Sequence, residues 1–263
     1  MMEKKLFFFD IDGTIKAEDD GSIPKSAINA IHALRENGHL VFVNTGRASV
    51  YVGDEIRSIG FDGYVFGCGT EVFLDGRRIF REEPDKKVCQ MLAEEVLKCR
   101  VSPVYERSDA MFYDSRACSN EGLYYLMSQF ERDGVAAEDM KDIKDFSYDK
   151  FVIWYDEKSD LERFRSLIEN RFRFVDRGNG FAEMVPLGCS KAVGMEKILA
   201  ATDMKREDTV AFGDSLNDSE MLEFAGLGIA MGGAESLYPY ADYITKPLKE
   251  DGIAYALKEK GFI

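Results

Sequence analysis

Two aspartates one residue apart, Asp10 and Asp12, stand directly behind the apolar run Leu6-Phe7-Phe8-Phe9 and are followed by Gly13-Thr14. Carboxylates this close form a compact anionic pocket suited to a hard divalent cation. A carboxylate ordinarily repels a phosphate; a magnesium ion between the two removes that repulsion and lets the carboxylate attack phosphorus. Gly13 permits a sharp exit and close backbone approach. Taken alone, such a pair is more often an acid-rich turn capping a strand. A second run, Phe212-Gly213-Asp214-Ser215-Leu216-Asn217-Asp218, also follows an apolar stretch and brings further oxygen-bearing groups. Two strands of one parallel sheet can aim such groups at one point, and a metal with several oxygen ligands needs that convergence. A helix-capping turn accounts for Asp214 or Ser215 but not for the full set.

Thr45-Gly46-Arg47 follows the apolar run Leu40-Val41-Phe42-Val43 and offers a hydroxyl and backbone N–H groups to phosphoryl oxygens. Alone it is also a common strand-ending turn. Lys191 falls in the first turn of an expected helix, where the helix dipole disfavours a cation by roughly 0.3–1 kcal/mol. An anion in front of it would explain the placement; a solvated surface lysine is the plainer alternative. The chain has only two histidines, His32 and His39, both expected to be solvated or packed, so Ser-His-Asp, Cys-His and HExxH chemistry lack candidates. Carboxylate chemistry is what remains.

The elements that must position these residues alternate. Leu6–Phe9 reads as a strand buried on both faces, about 24–37 as a helix, then strands at about 40–43 and 64–66 and a hairpin around Asp75-Gly76. Strand–helix–strand alternation implies a parallel sheet covered by helices. Beyond Glu83-Pro84 the rhythm changes. Helices at about 85–99 and 119–132, an irregular polar stretch over 133–149, a strand at 151–155, a helix opened by the capping-box spacing at Ser159, and strands at about 172–176 and 181–185 suggest an antiparallel sheet with helices. From Gly188 the first rhythm returns, with a helix at about 190–201, a strand at 209–212, a helix at about 216–225, strands at 228–231 and 243–245, and a last helix from about 252. The expected fold is α/β: a Rossmann-like parallel-sheet core over 1–82 and 188–263, with an inserted α+β cap over 83–187.

At 263 residues the chain is long enough for two lobes. Its net charge of −14 argues against nucleic acid and against anionic membrane surfaces as partners, though not against a small phosphorylated ligand in a locally cationic cleft. No apolar run approaches the roughly 18 residues of a spanning helix, and no signal-peptide pattern opens the chain. Cys68, Cys89, Cys99, Cys118 and Cys189 form no CxxC pair, so neither a disulfide framework nor a zinc site is suggested. A reduced, cytoplasmic protein is expected, as a monomer or weak homo-oligomer.

In this order and context the four pieces resemble the haloacid dehalogenase-like superfamily, in particular its Cof-type subgroup, class IIB. The matching residues are Asp10-Ile11-Asp12-Gly13-Thr14, Thr45-Gly46-Arg47, Ser190-Lys191 and Gly213-Asp214-Ser215-Leu216-Asn217-Asp218. The resemblance implies a phosphatase with Asp10 as nucleophile, forming an aspartyl-phosphate, and Asp12 as acid and then base. It implies Mg²⁺ held by Asp10, by Asp12 through its backbone carbonyl, and by Asp214, with Asp218 supporting the metal shell or Lys191. Thr45, Gly46, Lys191 and Asn217 would bind the phosphate. The substrate class would be small phosphorylated metabolites, sugar phosphates above all. A phosphomutase or phosphotransferase on the same scaffold, or a catalytically silent ligand-binding protein, are the alternatives. Two departures stand out: Gly67-Cys68-Gly69-Thr70 replaces the subgroup's Asn-Gly-Ala, and Asn44 takes the place of a small apolar residue before Thr45.

Overall fold

The computed structural model describes residues 3–117, 121–132, 134–140, 143 and 146–263. The chain opens with β1 (Leu6–Phe9), α1 (Lys25–Glu36), β2 (Leu40–Asn44), α2 (Asp54–Arg57), β3 (Gly63–Phe66), β4 (Glu71–Leu74) and β5 (Arg77–Arg81). There follow α3 (Lys86–Lys98), β6 (Ser102–Arg107), β7 (Ala110–Tyr113), α4 (Glu121–Arg132), β8 (Ala137–Asp139), β9 (Lys150–Trp154), α5 (Leu161–Ile168), β10 (Phe172–Gly178) and β11 (Phe181–Pro186). It ends with α6 (Lys191–Thr202), β12 (Thr209–Gly213), α7 (Ser219–Phe224), β13 (Leu227–Ala230), β14 (Tyr243–Ile244) and α8 (Gly252–Glu259). Contacts divide these elements into two units. The first runs up to Gly46 and includes Asp54–Arg81 and Ser190–Ile263; the second is Arg47–Gly53 with Glu82–Cys189.

The first unit is built on β1, whose four residues are wholly buried. A strand apolar at every position needs cover on both faces, and a parallel sheet between helix layers supplies it. The sheet has eight strands in the order β14-β13-β12-β1-β2-β3-β4-β5, parallel from β14 to β3 and antiparallel across β4 and β5. The register pairs Phe9 with Phe212 and with Val43, so Asp10, Gly213 and Asn44 stand at one level of the sheet's C-terminal edge. Phe8 stacks on Phe42 at 4.9 Å and joins a buried cluster with Val65, Met195, Ile198 and Met221, the side covered by α6 and α7. One residue on, Phe9 points the other way and stacks on Phe212, also at 4.9 Å. His39 belongs to this frame: buried, it accepts the Lys5 backbone N–H at Nδ1 and packs against Phe7 and Phe262. His32 bonds the Ile59 carbonyl at 2.9 Å.

The second unit carries a six-stranded sheet in the order β10-β11-β9-β6-β7-β8, antiparallel except between β7 and β8. One face holds an aromatic core that includes Tyr105, Tyr148, Phe151, Phe164 and Phe172, packed with α3 and α5. The other joins Val104, Met111 and Val152 to Leu123 and Phe130 of α4 and to Ala48. On β6, β9, β10 and β11 four charges form an alternating line: Arg177 pairs with Glu183 (3.2 Å), Glu183 with Lys150 (3.4 Å) and Lys150 with Glu106 (3.3 Å). Burial pushes the Glu106 carboxyl up, and Lys150 works against that push. Trp154 packs on Phe181, their rings 4.9 Å apart.

Several local expectations change. The cap of α5 is Asp160, whose side chain accepts the Arg163 N–H, because the Ser159 hydroxyl is already engaged with the Arg100 carbonyl and Asp156. The irregular stretch after α4 contains β8, three residues paired beside β7. The helix expected from about 216 opens as a short tight turn over Leu216–Asp218 before α7 begins. The beginning of the helix expected at 119–132 and Cys118 lie outside the described residues; the four described cysteines are buried free thiols. No helix among the described residues is long and apolar enough to cross a membrane.

Replacing Phe8 with alanine removes a fully buried ring from the stack with Phe42. The expected loss is about 3–5 kcal/mol, read as a lower urea midpoint for unfolding of the core unit.

Candidate active site

Asp10 is the first residue past β1, and its N–H donates to the Phe212 carbonyl at 3.1 Å, continuing the strand pairing. That pairing turns the carboxylate into a pocket at the C-terminal end of the sheet, the end where ligands bind in open α/β folds. Asp214 and Asp218 follow β12. Among the described residues, carboxylate oxygens of Asp10, Asp214 and Asp218 lie within 4.8 Å of one another.

Lys191 enters this group from the first position of α6. Its side chain has no exposure, and Nζ lies 2.8 Å from Asp10 Oδ1 and in contact with Asp218 Oδ1. The placement that sets a lysine against the helix dipole is therefore explained by carboxylates in front of it. Ser190 caps the helix by accepting the Val193 N–H at 3.2 Å. Asp218 is wholly buried and uses both oxygens: Oδ1 faces Lys191, and Oδ2 accepts the Asp214 and Ser215 N–H groups at 3.1 Å each. It fixes the ammonium and the turn bearing Asp214 together.

Asp214 accepts the Thr14 hydroxyl at 3.0 Å. Gly13 (φ +74°) lies beneath it: a Cβ there would come within 2.1 Å of Asp214 Oδ2, so no other residue fits this approach. Asp12 is half-buried, its backbone bridged to Lys16; its carboxylate is not one of the three that gather, but its charge acts on Asp10. Thr45 is buried just past β2, its N–H donating to the Val65 carbonyl at 2.9 Å and its own carbonyl accepting from Cys68 at 3.0 Å. Gly46 follows it, the last residue of its segment in the first unit. Asn217 takes the Ser215 hydroxyl at 2.7 Å.

Three carboxylates against one ammonium leave the pocket short of positive charge. Burial raises the Asp10 carboxyl to about 7; Lys191 pulls it down, while Asp218 and Asp12 push it up. Asp214 is raised to about 8 by burial and by the charges of Asp10 and Asp218, against the Thr14 hydrogen bond and Lys191. For Lys191 burial works against the charge, but Asp10 and Asp218 outweigh it and hold the ammonium well above the ordinary lysine range. An all-oxygen donor set with excess negative charge fits a hard divalent cation. Asp10 and Asp214 are the carboxylates best placed to hold it, since Asp218 is committed to Lys191 and two N–H groups.

Thr14 and Asn44 are the two residues of this region that motif reasoning did not assign. Thr14 was in view as part of the aspartate run, but nothing in a sequence says which acid a threonine meets. Arg107, Asp109, Asn179 and Glu183 all lie in the second unit, Arg107 paired with Asp109 and Asn179 in the β10–β11 turn. Arg47 also belongs there, over the Tyr51 ring at 4.5 Å.

The family model for haloacid dehalogenase-like hydrolases matches residues 7–257. The chain is 31% identical to YkrA of Bacillus subtilis strain 168 over 267 residues, covering 100% of both proteins. It is 28% identical to YitU of the same organism, a 5-amino-6-(5-phospho-D-ribitylamino)uracil phosphatase, covering 98% of each. The solved subclass IIB sugar phosphatase BT4131 superposes with a TM-score of 0.83 at 28% identity, over 99% of this chain and 100% of that one. The chain belongs to the haloacid dehalogenase-like hydrolases, in their Cof-type subgroup, and is a phosphoric monoester hydrolase.

The raised carboxyls give a signed pH dependence. Because Asp10 and Asp214 hold protons more tightly in the folded state than in the unfolded chain, their contribution favours folding at low pH and is lost as pH rises through about 7 to 8. Lys191, raised from an already high value, adds no slope in this window. Protein stripped with EDTA should lose melting temperature between pH 5.5 and 8.5. Added Mg²⁺ should restore more at pH 8.5 than at pH 5.5, as differential scanning fluorimetry would show.

Proposed function

We propose that this haloacid dehalogenase-like hydrolase is a magnesium-dependent phosphatase of small phosphorylated metabolites, with sugar phosphates as the leading class. The observation that carries the reading is the buried meeting of the Lys191 ammonium with the carboxylates of Asp10 and Asp218, beside Asp214. Such a pocket offers a nucleophile, a cation for phosphoryl oxygens and a place for a metal. The substrate class draws support from relatives that act on a phosphoribityl compound and on sugar phosphates.

Asp10 attacks phosphorus through a carboxylate oxygen, and the bond from phosphorus to the leaving oxygen breaks, giving an aspartyl-phosphate. Asp12 donates a proton to that leaving oxygen, then takes one from the water that attacks the aspartyl-phosphate. The second displacement returns the Asp10 carboxylate and releases inorganic phosphate. Thr45, the Gly46 backbone N–H and Lys191 hold the phosphoryl oxygens as charge redistributes, with Asn217 completing that pocket. Asp218 keeps Lys191 extended towards Asp10. Asp10, Asp214 and the Asp12 carbonyl would hold a Mg²⁺ ion, which would supply Lewis acidity and offset the repulsion between carboxylate and phosphate when bound.

Wild-type protein supplied with Mg²⁺ should release inorganic phosphate from p-nitrophenyl phosphate and from members of a panel of hexose and pentose phosphates. Complete inactivity across that panel sinks the reading, and recovery of an isomerised sugar phosphate replaces hydrolysis with a mutase. Asp10→Asn should lose on the order of 10⁴-fold or more in kcat; full activity in that variant removes Asp10 as the nucleophile. Asp12→Asn should cost about 10²–10⁴-fold on sugar phosphates and less in the first step on p-nitrophenyl phosphate, whose leaving group needs no proton.

A further inference from the structure

Asn44 is the last residue of β2, directly before Thr45, and is fully buried. Its Nδ2 lies 3.0 Å from the Lys191 carbonyl oxygen and 3.1 Å from Met221 Sδ. A carbonyl oxygen only accepts, so the group facing it is the NH₂, which fixes the orientation of the amide. One side chain thereby joins three pieces of the site: the strand end that carries Thr45, the helix start that carries Lys191, and α7, which begins directly after Asp218. The turn over Gly67–Gly69 packs against the same helix start. Gly69 (φ +88°) lies so near the Ser190 carbonyl that a Cβ would sit 2.3 Å from its oxygen, and Cys68 donates its N–H to the Thr45 carbonyl. The two departures from the subgroup's pattern, at Asn44 and at Gly67–Gly69, thus meet on one feature, the seat of Ser190 and Lys191.

The amide is a costly filler. Its Oδ1 is buried and has no hydrogen-bond partner among the described residues. A buried acceptor left unpaired carries its full desolvation cost, and an apolar group of the same shape avoids it. For packing alone, leucine would serve better here.

We infer that Asn44 is a positioning residue for Lys191: its amide holds the first turn of α6 at the height where the ammonium meets Asp10 and Asp218. The inference rests on the proposed phosphatase chemistry for its kinetic consequence, but not for its geometry.

The test is Asn44→Leu, which keeps the branched four-atom outline with some gain in volume and removes both the donor and the unpaired acceptor. Its unfolding midpoint should be unchanged or higher, while kcat falls roughly 10- to 100-fold with little change in KM, the scale of a small misplacement of a catalytic group. A second readout does not need turnover. In protein labelled with ¹⁵N-lysine, the buried Lys191 ammonium should give a slowly exchanging resonance, assigned by its loss in Lys191→Met. In Asn44→Leu that resonance should shift or broaden. An unmoved resonance overturns the inference whatever the kinetics, and a moved one with wild-type kcat overturns its bearing on catalysis. If Asn44→Leu does not fold, Asn44→Ala is read by the same two criteria. Should wild type hydrolyse no phosphate ester, the proposed function falls, and the Lys191 resonance still decides the role of Asn44.

Discussion

Burying an ammonium ion costs several kcal/mol, and only well-placed opposite charges with their own hydrogen bonds repay it. Lys191 sits under that constraint, and the arrangement of the core's C-terminal edge follows from it. Asp218 cannot simply face the lysine; its second oxygen must also be satisfied, and the two N–H groups of the Asp214 turn satisfy it. That requirement fixes the turn, and the turn fixes Asp214. Asp10, at 2.8 Å from the ammonium, is constrained from the other side by its backbone pairing with β12. Electrostatic need and strand pairing therefore specify the same positions.

The second unit shows how a buried charge set looks when it is balanced. Arg177, Glu183, Lys150 and Glu106 alternate in sign, each touching an opposite charge. The core cluster does not balance, because a third carboxylate joins the two that flank Lys191. Burial first, and the neighbouring carboxylates after it, raise the protonation ranges of Asp10 and Asp214. An imbalance of this kind costs stability and makes sense where a cation and a phosphate arrive together.

Much of the core was legible because its strands are short, mostly apolar and followed within two residues by acids or a Thr-Gly turn. Leu6–Phe9, Leu40–Val43 and Thr209–Phe212 all lie within strands of the sheet. Elsewhere competing local signals hid the outcome. Ser159 and Asp160 are both good helix caps, and only the tertiary partner at Arg100 decides between them. β8 is too short to show alternation. Residues 47–53 carry no compositional boundary, yet Ala48, Val50 and Tyr51 pack with the second unit's core. Asn44 was visible as an oddity, but what an amide touches depends on α6 and α7, which lie far along the chain.

The paired phenylalanines at the centre of the sheet act as an index. In a pleated strand each step advances the chain by about 3.3 Å and reverses the side-chain direction. A slip of β1 by one place against its two neighbours, β2 and β12, would break both ring stacks and turn Asp10 to the wrong side of the sheet. Phe8 and Phe9, stacked in opposite directions on Phe42 and Phe212, forbid that slip from both faces at once. The tolerance to which the carboxylate is aimed is thus set by greasy rings that never meet a substrate, and drift at those rings would be felt as lost chemistry before it was felt as lost shape.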